Sequence, residues 1–157
     1  MTTTPTHSEA LDAAYALLAE GERQIAAGQY QEGSANVYQA AFTALRAVAK
    51  SRGWPCETEE DVCNATYRLD GKEPPKDFAD AVKQGLEASI DDPFPVYGLL
   101  FTTVICFKLH GETVFRDGIS LPVTFWEPEN YVNSLPLVKK FIDLLASEKP
   151  AETVHEP

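Results

Sequence analysis

The sequence predicts a mainly α-helical protein, an up-and-down bundle of about five to six helices, with a small β-hairpin or flap at residues 112–126. Two observations lead to this fold class. Apolar residues recur at steps of three and four along several segments, which is the spacing of one helix face. The links between these segments are short, and short links favour antiparallel neighbours. At 157 residues we expect one domain, with the bundle at residues 8–147 and disordered tails at residues 1–7 and 148–157.

The first two helices are predicted to form a hairpin. The first begins at Ser8, a good N-cap residue, and ends at Gly28, because glycine accepts the left-handed conformation that closes many helices. The second has a continuous apolar stripe and stops before Pro55, which cannot continue a helix. The apolar positions are Leu11, Ala14, Tyr15, Leu18 and Ile25 in the first helix, and Tyr38, Ala41, Phe42, Leu45, Val48 and Ala49 in the second.

Two shorter helices are predicted to follow. Thr58 and Asp61 have the spacing of a capping box, and the helix that they begin is closed by Gly71. Asp77 can cap a fourth helix, which the sequence around Pro93 ends. The apolar residues of this fourth helix repeat every four positions, at Phe78, Val82, Leu86 and Ile90.

The last part of the chain predicts two more helices and one extended segment. Residues 96–109 are apolar on every side, so we expect this helix to be the most buried. The Asp117-Gly118 turn and the alternation after it indicate a hairpin or flap over residues 112–126, with an irregular loop as the alternative. Pro122 argues against a central strand position. The final helix is predicted from about Ser134 to Ser147.

Composition restricts the partners and the compartment. Thirteen basic and twenty-four acidic residues give a net charge of −11, which disfavours general binding to nucleic acid or to anionic lipid. The start of the chain does not have the pattern of a signal peptide, and the longest uncharged run, residues 93–107, is shorter than the ~20 residues of a membrane-spanning helix. The three cysteines, an odd number, are typical of reduced thiols. We therefore expect a cytoplasmic protein.

Two family resemblances lie in the first helices. The spacing of Gly21, Gly28 and Tyr30 resembles one tetratricopeptide unit, but a period of about 34 residues places Pro55 and Val62 where the next glycines would stand, so the array does not continue. Residues 28–53, GQYQEGSANVYQAAFTALRAVAKSRG, resemble the second helix of the HEPN superfamily, and the later helices agree loosely over residues 8–147.

The HEPN resemblance implies a helical bundle that forms homodimers, often beside a nucleotidyltransferase or in prokaryotic defence systems. Ribonuclease members of that family carry an arginine followed at a short spacing by a histidine, near the final core helix. Here His110 precedes Arg116, so the motif is absent and the resemblance implies no nuclease activity.

The candidate ligand-binding residues fall into two sets. His110, Glu112 and Arg116 could place an imidazole beside a carboxylate and a guanidinium, which can bind an anion or move a proton, although a histidine that ends a helix is the more common role. Trp54, Tyr97 and Trp126 lie in or near links between helices, where aromatic side chains either anchor a ligand or seal the end of a bundle.

No motif assigns a reaction, a metal or a cofactor. Cys56 and Cys63 are too far apart for paired zinc ligands. The chain has neither a phosphate-binding glycine loop nor a Gly-x-Ser-x-Gly nucleophile turn. We therefore predict a non-catalytic helical interaction module that forms a homodimer and could hold a further protein partner. The alternatives are a small-ligand-binding protein or enzyme with a pocket near His110, and an acidic chaperone-like adaptor.

Overall fold

The computed structural model describes residues 6–92, 94–110, 113–122 and 126–148. Within these residues the predicted helical bundle is confirmed, and it has six helices. The elements are α1 (His7–Ala26), α2 (Tyr30–Ser51), α3 (Glu59–Leu69), α4 (Phe78–Glu87), α5 (Val96–His110), β1 (Thr113–Arg116), β2 (Ile119–Pro122) and α6 (Pro128–Ser147). Of the predicted tails, residues 1–5 and 149–157 lie outside this description.

Helix α1 begins two residues before the prediction. Thr6, rather than Ser8, is its N-cap, because the Thr6 hydroxyl accepts a hydrogen bond from the backbone N–H of Glu9 at 3.1 Å. At the other end Gly28 has a φ of +83°, the left-handed conformation expected after a helix. The short link at Gly28 turns the chain back, and α1 packs along α2 as the predicted hairpin.

Helix α2 occupies the centre of the bundle. It packs against α1, α3, α5 and α6, and much of its surface is fully buried. Helix α5 is apolar on every side as predicted, but only one of its faces is buried, through Tyr97, Phe101, Val104, Phe107 and His110. Leu99 and Leu109 of α5 are about half exposed, at 48% and 46%. The expectation that α5 is the most buried helix is therefore wrong, because α2, with its small alanine side chains, is surrounded instead.

Helices α3 and α4 have the predicted caps. Thr58 and Asp61 exchange the two hydrogen bonds of a capping box, at 3.0 and 3.3 Å. Asp77 accepts from the backbone N–H of Asp80 at 2.8 Å and begins α4. Helix α4 ends at Glu87, short of Ile90. It makes no extensive contact with any other described element, so the predicted apolar stripe of this helix does not join the core.

Residues 113–122 form the hairpin that the turn signal predicted. Asp117 and Gly118 both have positive φ, at 53° and 77°, which is the geometry of a two-residue turn that matches strand twist. The strands pair antiparallel, with Arg116 opposite Ile119 and Thr113 opposite Pro122. Pro122 is tolerated because it lies at the end of a two-stranded sheet. Glu112 and residues 123–125 of the predicted flap lie outside the described residues.

Helix α6 starts six residues before the predicted Ser134. Pro128 occupies the first turn, where a missing backbone N–H costs nothing. The side chain of Asn130 accepts a hydrogen bond from the backbone N–H of Glu127 at 3.0 Å. Pro136 therefore lies inside the helix rather than near its start.

Candidate functional site

One end of the bundle is closed by an aromatic cluster that contains two of the predicted site residues, His110 and Trp126. The ring of His110 lies 4.4 Å from the ring of Trp126 and 5.5 Å from that of Tyr131, measured between centroids. Phe107 packs edge-on against Trp126 at 5.3 Å, and Tyr30 stacks on Tyr131 at 4.6 Å. The cluster joins the start of α2, the end of α5 and the start of α6.

This packing leaves His110 little access to solvent, because its side chain is only 5% exposed. His110 and Trp126 therefore help to seal this end of the bundle. Sealing a bundle end was one of the two roles predicted for Trp126, and anchoring a ligand was the other. Glu112 and the side chain of Arg116 lie outside what the structure describes. The predicted grouping of these two residues with His110 stays a prediction.

The other two predicted residues, Trp54 and Tyr97, lie at the opposite end of the bundle. The guanidinium of Arg52 lies 5.5 Å from the ring centroid of Trp54 and is paired with Glu148 at 2.6 Å. The hydroxyl of Tyr97 donates to the same carboxylate of Glu148 at 2.5 Å. Burial and this hydrogen bond raise the pKa of Tyr97 well above the ordinary range of tyrosine. The contacts tie α2 and α5 to the end of α6.

The six predicted residues therefore do not form one site. Tyr97 and His110 are the second and last residues of α5, and thirteen steps of helix separate them by about 20 Å. One ligand of ordinary size could not contact both groups.

Asp70 is a buried carboxylate that the sequence analysis did not single out. It is 8% exposed, and its two carboxylate oxygens accept from the backbone N–H groups of Tyr97 at 3.0 Å and Gly98 at 2.8 Å. These N–H groups belong to the first turn of α5, where a negative charge is favoured by the helix dipole. Asp70 thus caps a helix from a distant segment. No spacing rule could find it, because 27 residues separate it from Tyr97.

A polar cluster on one side of the bundle links α2, α3 and α5. The carboxylate of Glu59 accepts from the Tyr38 hydroxyl at 2.7 Å and from the Lys108 ammonium at 2.5 Å. These two hydrogen bonds lower the pKa of Glu59. The nearby thiol of Cys63 has a raised pKa, first because it is buried and second because of the negative charge of Glu59. A raised pKa favours the protonated thiol, which is a weaker nucleophile than the thiolate.

Helix α4 exposes its apolar stripe to solvent. Phe78 and Leu86 are 85% and 82% exposed, and Val82 between them is exposed as well. The half-buried side of the helix carries Asp80, Ala81 and Gln84. Soluble helices normally turn their apolar stripe inward, so an exposed stripe is a surface that another molecule can cover.

The clefts on the described surface include three of several hundred Å³. The first, about 420 Å³, has mostly apolar walls and lies between α3 and α5, along Thr66, Phe101 and Ile105. The second, about 530 Å³, lies where the start of α1 meets the second half of α2. The third, about 470 Å³, separates α4 from the chain around Gly71. Neither His110 nor Trp126 lines any of these three clefts.

Comparisons with known proteins leave the family open: no family model, no curated protein and no solved structure matches this chain. Among the residues that the structure describes, no helix has both the length and the apolar character needed to cross a membrane. The same residues contain no group of three or more histidine, cysteine or acidic side chains that could hold a metal ion.

Proposed function

We propose that this chain is a helical interaction module that acts as a homodimer, with the apolar face of α4 at the interface. The observation that carries the proposal is the outward orientation of Phe78, Val82 and Leu86 on a helix that makes no extensive contact with any other described element. A row of apolar side chains exposed to water raises the free energy of the monomer. Burial of the same side chains in an interface contributes favourably to binding.

A second copy of the chain is a suitable cover because the stripe is self-complementary. The apolar residues are evenly spaced about Val82, so two α4 helices can pair antiparallel around a two-fold axis. In that arrangement Val82 lies against its own copy, and Phe78 of one chain lies against Leu86 of the other. Gly85 leaves open space beside the stripe, which allows the two helices to approach closely.

The expected strength of this dimer is moderate. Covering one large apolar side chain contributes about 1.5 to 3 kcal/mol, and association costs several kcal/mol. An interface built on three such residues from each copy gives a dissociation constant in the micromolar range, roughly 1 to 100 µM.

Two further features support the proposal. Residues 28–53 resemble the HEPN superfamily, whose bundles form homodimers, and we extend that expectation to this chain. Cys56, Cys63 and Cys106 form no disulfide, which agrees with a cytoplasmic site of action. The proposal assigns no catalytic residue.

Sedimentation equilibrium of the full chain and of Val82→Glu tests the interface. We expect the wild type to show a monomer–dimer equilibrium over about 1 to 200 µM, and Val82→Glu to be monomeric, because two like charges would meet at the two-fold axis. The matched control is Ala88→Glu, which adds the same charge at an exposed position just after the end of α4, about 240° around the helix from Val82. We expect this control to dimerise like the wild type.

Either of two results would contradict the proposal. A wild-type chain that stays monomeric over the whole range has no such interface. A Val82→Glu variant that dimerises like the control places the interface elsewhere. Circular dichroism of both variants shows whether the helical bundle is intact.

A further inference from the structure

We propose that the cleft between the start of α1 and the second half of α2 binds small organic anions. This site differs from the interface proposed for α4 and does not depend on it. Its walls combine two cations and an incompletely bonded histidine with apolar side chains, and its volume of about 530 Å³ lies within the range of small-ligand sites.

Arg46 and Lys50 supply the positive charge. They are four residues apart on α2, one turn of helix, so both side chains reach the same cleft. Arg46 and Lys50 make no ion pair with any residue that the structure describes. Four other basic side chains are each paired with a carboxylate, namely Arg23, Arg52, Lys108 and Lys139. In a chain of net charge −11, two such cations in one cleft concentrate local positive potential.

His7 gives the second indication of a ligand. Its side chain lines the same cleft, and its Nδ1 atom is buried without a hydrogen-bond partner among the described residues. Buried polar atoms are nearly always bonded, so an unbonded ring nitrogen is unusual, and this one belongs to a side chain that lines the cleft. Thr43 also lines the cleft, and its hydroxyl can supply a further hydrogen bond.

The apolar residues of the cleft favour an anion with an organic body over a bare ion. Phe42, Ala10 and Ala47 also line the cleft, and apolar walls favour an aromatic or short aliphatic group. Glu57 also lines the cleft and is exposed, so it opposes a second negative group at that edge. The expected ligand class is a phosphate monoester or carboxylate with its charge at one end and an aromatic or aliphatic group at the other.

Phenyl phosphate is a suitable probe, and Cys56 provides a reporter because its thiol lines the cleft. We expect phenyl phosphate to slow alkylation of Cys56 by N-ethylmaleimide at least about threefold at saturation, measured by peptide mass spectrometry. Cys63 and Cys106 are internal controls, since neither thiol lines this cleft. Inorganic phosphate should protect more weakly, because it cannot use the apolar wall.

Charge-matched double variants test the residues. Arg46→Gln with Lys50→Gln should weaken phenyl phosphate binding, measured by calorimetry, by about tenfold or more. Arg23→Gln with Lys140→Gln removes the same charge from exposed positions elsewhere and should leave the affinity within about twofold. Equal weakening by both double variants would show a general charge effect and overturn the site, as would the absence of Cys56 protection in the wild type.

Discussion

At the scale of single residues, Asp70 shows how a side chain outside any motif fixes the arrangement of two helices. The residue ends α3, and its carboxylate caps the first turn of α5 through two backbone hydrogen bonds. Because Asp70 is buried, these bonds are shielded from water and matter more than the same bonds at a surface. Asp77 also caps a helix, but it is an ordinary N-cap that bonds to its own helix, at the exposed start of α4.

Substitution of Asp70 by Asn should destabilise the protein by about 2 kcal/mol. Asn has one acceptor oxygen, so its amide group would face one of the two N–H donors of α5 and leave it unbonded. The measurement is the free energy of unfolding in urea. Asp77→Asn is the matched control and should change stability by less than about 0.5 kcal/mol, since Asn is an equally good N-cap. Equal losses in the two variants would show that Asp70 is no more than a surface cap.

At the scale of elements, α1 and α2 are held together by a close approach of their backbones. A Cβ atom on Gly21 would lie 2.8 Å from the carbonyl oxygen of Gly33, and a Cβ atom on Gly33 would lie 2.8 Å from that of Gly21. The two glycines are therefore required by the crossing of the helices and not by an unusual φ. Glycine has a low helix propensity, so Gly21 lowers the intrinsic stability of α1. The close packing of α1 on α2 nevertheless requires glycine at this position.

Gly21→Ala should destabilise the protein by about 1 to 2 kcal/mol, because the added methyl group forces α1 and α2 apart, although alanine favours the helix by about 1 kcal/mol. Gly85→Ala makes the same change in α4, where the new methyl group meets nothing within 4 Å. It should stabilise the chain by up to about 1 kcal/mol. Thermal unfolding of both variants at low protein concentration compares them. If both variants are more stable than the wild type, the α1–α2 crossing can accommodate a methyl group at position 21, and the predicted clash is wrong.

The exposed stripe of α4 also belongs to the scale of elements. The caps and the spacing of its apolar residues identify this helix from sequence, and the structure confirms its start at Phe78. Periodicity shows that a helix has an apolar face, but it does not say which molecule covers that face. Only the placement of α4 beside the bundle shows that no other described element packs extensively on its apolar face.

At the scale of the whole molecule, net charge works against self-association. Each chain carries −11, so two copies repel one another at long range, while the proposed interface is apolar at its centre. Salt screens the repulsion and leaves the apolar contact in place.

Raising sodium chloride from about 20 to about 200 mM should therefore tighten the homodimer several-fold. Sedimentation equilibrium at the two salt concentrations measures the change, and Val82→Glu should remain monomeric at both. If the dimer instead weakens with salt, opposite charges rather than the α4 stripe hold the two copies together.

The sequence by itself determined the local structure of this protein. The caps at Thr58 and Asp77, the left-handed glycine at position 28 and the Asp117-Gly118 turn were each found from neighbours a few residues apart, and each depends on interactions of that range. The start of α6 was missed, although the Glu127-Pro128 signal for it was present in the chain.

Only the tertiary structure decided which of these local elements meet. It placed His110 inside an aromatic cluster, about 20 Å from Tyr97 at the opposite bundle end. It joined Asp70 to the start of α5, left the apolar face of α4 outside, and brought His7 into the cleft beside Arg46. The physical reason is that these contacts join residues far apart in the chain, so their positions depend on how whole helices pack, which no short sequence pattern contains.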